Sequence, residues 1–287
     1  MFLGYNTNGL AHHRLLDAVD LLAELGYKGV AVTIDHHALA PDAADTPEQL
    51  ERLRSRLTQH GMRCVIETGA RYLLDSRRKH EPTLVSPERE QRAHRVAFYR
   101  HAIDCAASLQ ADCVSLWSGV VHDGATPEAA MDRLTAGLRD VLQYAERREV
   151  AIAFEPEPGM LIDSMAGFQR LLDRVDHPWL GLTLDIGHLQ CQGELPLRET
   201  IGRWTRREGP GRLLNVHLDD ARRGTHEHLM FGQGEIDFRP VFTALARGGY
   251  TGGLYVELSR HGHVGPEAAR EAIAFCTPRL TEALAKD

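Results

Sequence analysis

Residues 151–188 read AIAFEPEPGMLIDSMAGFQRLLDRVDHPWLGLTLDIGH, and their pattern decides the fold. A short apolar run, AIAF, is followed by a loop, by the helical pattern MAGFQRLLDRV, and by a second apolar run, GLTLD. Strands without a polar face are typical of a parallel sheet that is covered on both sides, because helices then connect successive strands. The segment therefore predicts a strand, a helix and a second strand parallel to the first.

The same alternation extends over the whole chain. Eight apolar runs are predicted as strands: Phe2–Tyr5, Gly29–Ile34, Arg63–Glu67, Cys113–Trp117, Ala151–Glu155, Gly181–Asp185, Leu213–Leu218 and Leu254–Glu257. The predicted helices are His13–Leu25, Pro47–His60, Pro87–Leu109, Pro127–Arg148, Met165–Val175, Pro196–Arg206, Phe238–Arg247 and Pro266–Leu284. Eight such units predict an α/β fold, the (β/α)8 TIM barrel, with an open doubly wound sheet as the alternative. We expect a single barrel domain over residues 1–287, since barrels of this length form one domain.

Composition restricts the functions that the chain can have. With 43% hydrophobic and 25% charged residues, it is typical of a soluble globular protein. Its five cysteines are scattered and form no C-x-x-C pair, which predicts reduced thiols rather than disulfides or a zinc knuckle. A net charge of -7 disfavours nucleic acid as a partner, and neither a membrane span nor a signal peptide is visible. We expect a cytoplasmic protein that acts on a small molecule.

Four successive predicted strands end in residues that bind metal ions: Glu155, Asp185, His217 and Glu257. The carboxyl ends of barrel strands meet at one mouth, where the functional sites of this fold lie. Burial of an unpaired carboxylate is costly, and a shared cation removes that cost. Ordinary ion pairs with arginine would explain a single strand end, but four in succession favour one metal site.

This set of ligands also predicts a reaction. Three carboxylates and one imidazole favour Mn2+ or Mg2+ and tolerate Co2+ or Zn2+. One such ion could polarise the carbonyl of an α-hydroxy-ketone and stabilise the enediolate that forms when the neighbouring carbon loses its proton. Glu155 and Glu257, on strands three apart, are the predicted catalytic pair, one removing the proton and the other returning it.

Five motifs carry a resemblance to a known family: FEPEPG (154–159), LDIGH (184–188), NVHLDDARRG (215–224), GQGEIDF (232–238) and GGYTGGLYVEL (248–258). In this order they resemble the sugar phosphate isomerase/epimerase family of xylose isomerase-like barrels, which includes ketose 3-epimerases, hydroxypyruvate isomerases, and inosose isomerases and dehydratases. The resemblance covers most of the chain. It implies that the four strand-end residues bind the metal, that Glu155 and Glu257 are the acid/base pair, and that the protein forms a homodimer.

The resemblance further implies two substrate contacts, His188 and Arg223. The alternatives are that His188 caps a helix, that Arg222 takes the place of Arg223, or that either arginine pairs with a nearby aspartate.

Three more residues are predicted to bind substrate at the same mouth, namely Glu67, Arg71 and Trp117. Arg71 could hold a carboxylate or phosphate through its forked guanidinium, or it could pair with Glu67. Trp117 could form a flat wall against a sugar, or serve only in packing.

Several other functions are compatible with this barrel and its predicted metal site. A dehydratase of a keto-polyol such as 2-keto-inositol would use the same chemistry, and a non-catalytic sugar-binding barrel would keep the metal. Apurinic endonucleases share the barrel and use a His-rich cluster, near which His188, His226 and His228 fall. Because the third and fourth strands end in Glu67 and Trp117 rather than histidine, a single metal ion fits better. We predict a metal-dependent isomerase or epimerase of a ketose, an inosose or a related compound in carbohydrate metabolism.

Overall fold

Eight parallel strands close into a barrel in the computed structural model, which describes residues 1–205 and 212–285. In chain order the barrel strands are β1 (Phe2–Asn6), β2 (Gly29–Thr33), β3 (Arg63–Glu67), β4 (Val114–Leu116), β5 (Ile152–Phe154), β6 (Leu180–Asp185), β7 (Leu213–Leu218) and β10 (Gly253–Val256). Around the barrel the order is β1, β10, β7, β6, β5, β4, β3 and β2. The predicted TIM barrel is therefore confirmed.

Helices follow the strands, and all of them except α6 cover the outside of the barrel. They are α1 (Leu15–Leu25), α2 (Thr46–His60), α3 (Arg89–Leu109), α4 (Pro127–Arg147), α5 (Met165–Val175), α6 (Ile186–Gln192), α7 (Leu197–Thr205), α8 (Phe238–Arg247) and α9 (Gly265–Leu284). Two short 3-10 helices lie at Thr7–Leu10 and Gly262–Val264. The helix predicted at Pro196–Arg206 corresponds to α7, and Arg206 lies outside the described residues.

Two elements were not predicted, and both lie at the mouth of the barrel. The helix α6 starts directly after β6, where the side chain of Asp185 accepts a hydrogen bond from the backbone N–H of His188 at 2.9 Å. The strands β8 (Asp220–Arg222) and β9 (Thr225–Leu229) form an antiparallel hairpin just after β7. A helix of seven residues and a strand of three are too short to show a clear period in the sequence.

Apolar side chains fill the barrel and the space between the barrel and its helices. Strands β2 and β6 are buried along their whole length, as expected for parallel strands covered on both faces. All five cysteines are buried and free. Among the described residues, no helix combines the length and apolar character needed to cross a membrane. The single domain over residues 1–287 and the homodimer stay predictions.

Candidate metal centre and active site

The four predicted metal ligands lie together at the carboxyl ends of neighbouring strands. Asp185 ends β6, His217 lies on β7, and Glu155 and Glu257 directly follow β5 and β10. One ligand atom from each residue lies within 4.8 Å of the others. We call these four residues the strand-end cluster.

His217 lies at the centre of the strand-end cluster. Its Nδ1 atom is 2.8 Å from Glu257 Oε2, 3.1 Å from Glu155 Oε1 and 3.8 Å from Asp185 Oδ2. The imidazole is buried and therefore cannot turn toward solvent. Oxygens of three carboxylates therefore lie around a single ring nitrogen, Nδ1 of His217.

Glu67 lies on the opposite side of the same imidazole. Nε2 of His217 donates to Glu67 Oε1 at 2.9 Å, and Asn215 Nδ2 donates to the same oxygen at 3.1 Å. A carboxylate that accepts from one ring nitrogen places the lone pair on the other, as is typical of metal-binding histidines. Glu67 was predicted to contact substrate; it does line the cavity, but one of its oxygens orients His217.

The burial and hydrogen bonding of the carboxyl groups in this cluster suit a bound cation. Burial raises the pKa of Glu155 to about 8, despite the nearby His217. Burial also disfavours the charged form of Glu257, but His217, His228 and His188 together outweigh this effect and lower the pKa of that carboxyl. Oδ2 of Asp185 is buried and has no hydrogen-bond partner. An unpartnered carboxylate oxygen facing an imidazole and two further carboxylates fits a divalent cation that prefers oxygen and nitrogen ligands.

A cavity of about 600 Å3 opens above the cluster. Five of the predicted site residues line it: Glu67, Arg71, Trp117, Glu155 and Glu257. Nδ2 of Asn8 donates to Glu257 Oε1 at 2.7 Å, which leaves Oε2 of this carboxylate toward His217. The predicted catalytic glutamates are thus the members of the cluster that reach the cavity.

Arg71 and Trp117 form part of the wall opposite the hairpin. Arg71 donates to the carbonyl oxygen of Asn8 at 3.0 Å and lies 3.8 Å from Asp35, so that Asp35 rather than Glu67 is its acidic neighbour. Trp117 is almost completely buried, and the guanidinium of Arg95 lies 4.5 Å from the centre of its ring. Both residues present only part of their surface to the cavity.

His188 lies beside the strand-end cluster, behind the cavity wall. Its Nδ1 atom donates to the carbonyl oxygen of Pro156 at 3.1 Å, and Nε2 is 3.7 Å from Asp185 Oδ2. Burial opposes a charge on this ring, but Asp185, Glu157 and Glu155 together raise its pKa to about 9. In this position His188 faces other protein groups, and direct contact with a substrate oxygen stays a prediction.

Arg223 is not among the residues that line the cavity, and its substrate contact stays a prediction. The residue lies in the exposed turn of the hairpin, and its backbone N–H donates to Glu235. Its guanidinium packs beside Gly193 at the end of α6. The alternative, Arg222, is also exposed and donates to the carbonyl oxygen of Gln233 at 2.7 Å. Neither arginine points into the barrel mouth.

Glu157, His226 and His228 line the cavity, although none was selected from the sequence as part of the site. Glu157 is the second acid of FEPEPG. His226 and His228 alternate in the sequence HEH, which is the spacing that puts two side chains on one face of a strand. That spacing could have indicated the pair, had the hairpin been predicted.

The chain was compared with known proteins. Residues 19–279 match the family model described as xylose isomerase-like TIM barrel. The chain is 26% identical over 266 residues to L-ribulose-5-phosphate 3-epimerase UlaE of Shigella flexneri serotype 5b (strain 8401), a match that covers 91% of this chain and 87% of that relative. Among solved structures, L-ribulose 3-epimerase matches with a TM-score of 0.78 at 18% identity and covers 99% of this chain and 96% of its own. The IolI protein with a bound zinc atom matches with a TM-score of 0.76 at 18% identity and covers 99% of each chain.

The match to the family model spans most of the chain. It agrees with the closed barrel, and the named relatives confirm the resemblance to sugar isomerases and epimerases on which the prediction of an enzyme was based. The chain belongs to the xylose isomerase-like TIM barrel family.

Proposed function

We propose that this protein is a metal-dependent epimerase or isomerase of a small ketose, with Glu155 and Glu257 as its acid/base pair. The observation that carries the proposal is the convergence of Glu155, Asp185, His217 and Glu257 at the floor of one cavity. A divalent cation bound there would polarise the ketone of the substrate and stabilise the negative charge that develops on its oxygen.

Two glutamates are needed because epimerisation inverts a carbon. One group removes the proton from the carbon next to the ketone, and the electron pair moves toward the carbonyl oxygen. A second group then delivers a proton to the opposite face of the same carbon. Glu155 and Glu257 suit these two tasks, because β5 and β10 are separated by β6 and β7 and the two carboxylates approach His217 Nδ1 from different strands.

Their environments also differ. Burial raises the pKa of Glu155, whereas His217, His228 and His188 together outweigh burial and lower the pKa of Glu257. One of the two carboxylates would remove the proton, and the other would return it.

Three basic side chains in the cavity wall could hold an anionic end of the substrate, beside the glutamates that also line the cavity. Arg71, Lys79 and Arg260 all line the cavity that the two glutamates enter. Basic side chains hold phosphate groups through charge-assisted hydrogen bonds. Together with the name of the UlaE relative, these residues support a ketose phosphate as the substrate class, with the free ketose as the comparison.

The test is solvent-deuterium exchange. Pentuloses, hexuloses and their phosphates would be incubated with the Mn2+-loaded protein in D2O and followed by NMR. We expect deuterium at the carbon next to the ketone together with the epimeric product, at a higher kcat/KM for the phosphorylated ketose. Loss of water from 2-keto-inositol instead would identify a dehydratase, and a bound ketose without exchange would reduce the protein to a sugar-binding barrel.

A further inference from the structure

Arg95 is a fully buried arginine on α3, behind the wall of the cavity. Among the residues that the structure describes, neither Nε nor Nη1 of its guanidinium has a hydrogen-bond partner. Its Nη2 atom donates to the carbonyl oxygen of His80 at 3.3 Å. Burial of a polar group without a partner is costly and therefore rare in folded proteins. An arginine kept in this place at such a cost indicates a specific role.

Three aromatic rings surround the guanidinium of Arg95. Its carbon Cζ lies 4.5 Å from the centre of the Trp117 ring, 5.0 Å from that of Tyr99 and 5.4 Å from that of Phe98. A guanidinium at these distances attracts the rings through cation–π interactions, which are stronger when the cation is shielded from water. Trp117 directly follows β4 and lines the cavity. The charge of Arg95 therefore holds a side chain of the cavity wall from behind.

Arg95 also supports the loop between β3 and α3. The ring of His80, whose carbonyl oxygen accepts the bond from Arg95, meets the ring of Trp117 edge-on at 5.4 Å. Three non-glycine residues of this loop have a left-handed backbone, with φ values of 58° at Ala70, 34° at Arg71 and 69° at His80. Such conformations are strained and persist only where surrounding groups hold them. The bond from Arg95 is one of the contacts that hold the last of the three.

We propose that Arg95 is a positioning residue, which holds Trp117 and His80 in place as a substrate-facing wall of the cavity. Both of these residues line the cavity, whereas Arg95 is not among its lining residues. The inference rests on the proposed function, in that this wall is taken to contact the ketose. Aromatic rings offer apolar area to the C–H groups of a sugar in the ground state and the transition state alike. Loss of Arg95 should therefore weaken binding more than it slows proton transfer.

The test compares Arg95→Met with Arg89→Met, an exposed substitution at the start of the same helix. Methionine has a similar reach and removes a buried charge, so that the free energy of unfolding in urea should stay unchanged or increase. KM for the preferred ketose should rise by about 10-fold in Arg95→Met, with kcat within about two-fold of the parent. Arg95→Lys keeps the charge and a donor, and it should recover most of the affinity. Arg89→Met should match the parent in every measurement.

Hydrogen exchange followed by mass spectrometry reports on the wall without any substrate. In Arg95→Met the amides of residues 69–80 should exchange about 10-fold faster, while those of the barrel strands keep their parental rates. Parental exchange in this loop, a lower free energy of unfolding, or a fall in kcat at an unchanged KM would each overturn the proposal. If the parent protein converted no ketose, the proposed function would fail, and the exchange of the loop would still decide whether Arg95 holds the wall.

Discussion

The strand-end cluster and the groups carried by loops are held in place in different ways. Asp185 pairs directly with His217 across β6 and β7, and the N–H groups of Glu155 and Glu257 donate to Leu116 and Leu218 of the adjacent strands. The barrel ladder itself thus fixes these side chains. In contrast, His80 lies in a loop, where its ring and its backbone N–H bond to the carbonyl oxygens of Gly69 and Arg71, and His226 and His228 lie on the hairpin β8–β9 outside the barrel sheet. The barrel strands thus position the strand-end cluster, and the loops form its surroundings.

The largest expected effect is at the strand ends, in the variant Glu257→Gln. The amide keeps the shape of the side chain but cannot accept a proton, so that kcat should fall by about 10³-fold, within the range for loss of a general base. The measurement is the rate of deuterium exchange into the preferred ketose, with metal content determined on the same sample.

Glu271→Gln, an exposed substitution on α9, is the matched control and should keep the parental rate. Full activity of Glu257→Gln with a native circular dichroism spectrum would remove the proton-transfer role from this residue. The reaction would then not be centred on the strand-end cluster.

The next largest effect is expected for Glu67→Gln, because Glu67 is a strand-end residue whose carboxylate orients His217. Without the carboxylate, His217 keeps only a neutral amide oxygen as the acceptor of its Nε2–H, so its ring is a weaker metal ligand and the affinity for Mn2+ should fall by about 10- to 100-fold. Isothermal titration of the stripped protein with Mn2+ measures this, with the exposed variant Glu48→Gln as the control. An unchanged Mn2+ affinity with a raised KM would instead support the direct substrate contact that the sequence predicted.

The strand-end side chains could be predicted because the barrel follows regular rules. Eight apolar runs predicted the strands, and the polar residue at the carboxyl end of a strand lies at the mouth of the barrel. The same rule placed Glu67 and Trp117 correctly at the cavity. It could not reveal that Glu67 contacts His217, because that contact joins β3 to β7 across the barrel rather than between neighbours.

The loop residues could not be predicted in this way. The substrate contact of Arg223 was implied by the resemblance, at a position six residues after His217. The chain turns back at Gly224, where φ is 76°, and pairs Arg222 with Thr225. The turn leaves Arg223 exposed and brings His226 and His228 inward. The spacing of residues in the sequence does not predict this turn, since β8 is only three residues long.

Gly234→Ala tests whether the loop region can be disturbed separately. Asp220 accepts backbone N–H groups of Gly232 and Gly234 on one carboxylate oxygen, and those of Ala221 and Ile236 on the other. A Cβ atom at position 234 would lie 2.2 Å from Asp220 Oδ1. The crowding should lower the free energy of unfolding by about 1–3 kcal/mol.

Chemical denaturation measures the effect of Gly234→Ala, with Gly202→Ala as the control because nothing lies within 4 Å of its added Cβ. We expect Gly202→Ala, in the helix α7, to be neutral or slightly stabilising. The affinity of Gly234→Ala for Mn2+ at the strand ends should stay within about two-fold of the parent. A loss of Mn2+ binding as large as that in Glu67→Gln would show that the two regions are not independent.

The smallest effect is expected at His80, in the loop between β3 and α3. Burial, aided by the positive charges of Lys79, Arg95 and Arg71, outweighs the bond to the Gly69 carbonyl and lowers the pKa of His80 to about 4, from an ordinary value of 6.5. Below pH 6.5, His80 takes up a proton in the unfolded chain but not in the folded protein. This residue therefore lowers the free energy of unfolding as the pH falls toward 4. Between pH 6.5 and 5.5 the loss should be about 1 kcal/mol.

The variant His80→Gln, which keeps a donor for the Gly69 carbonyl, should lack that part of the pH dependence. Urea unfolding of the metal-free proteins between pH 5.5 and 7 measures it, and the exposed variant His36→Gln should follow the parental curve. Because His80→Gln and the parent share every other histidine, the difference between their unfolding curves reports on His80 alone. If the curves of His80→Gln and the parent stay parallel, His80 is protonated in the folded loop, and the wall opposite the hairpin carries one more positive charge toward the substrate.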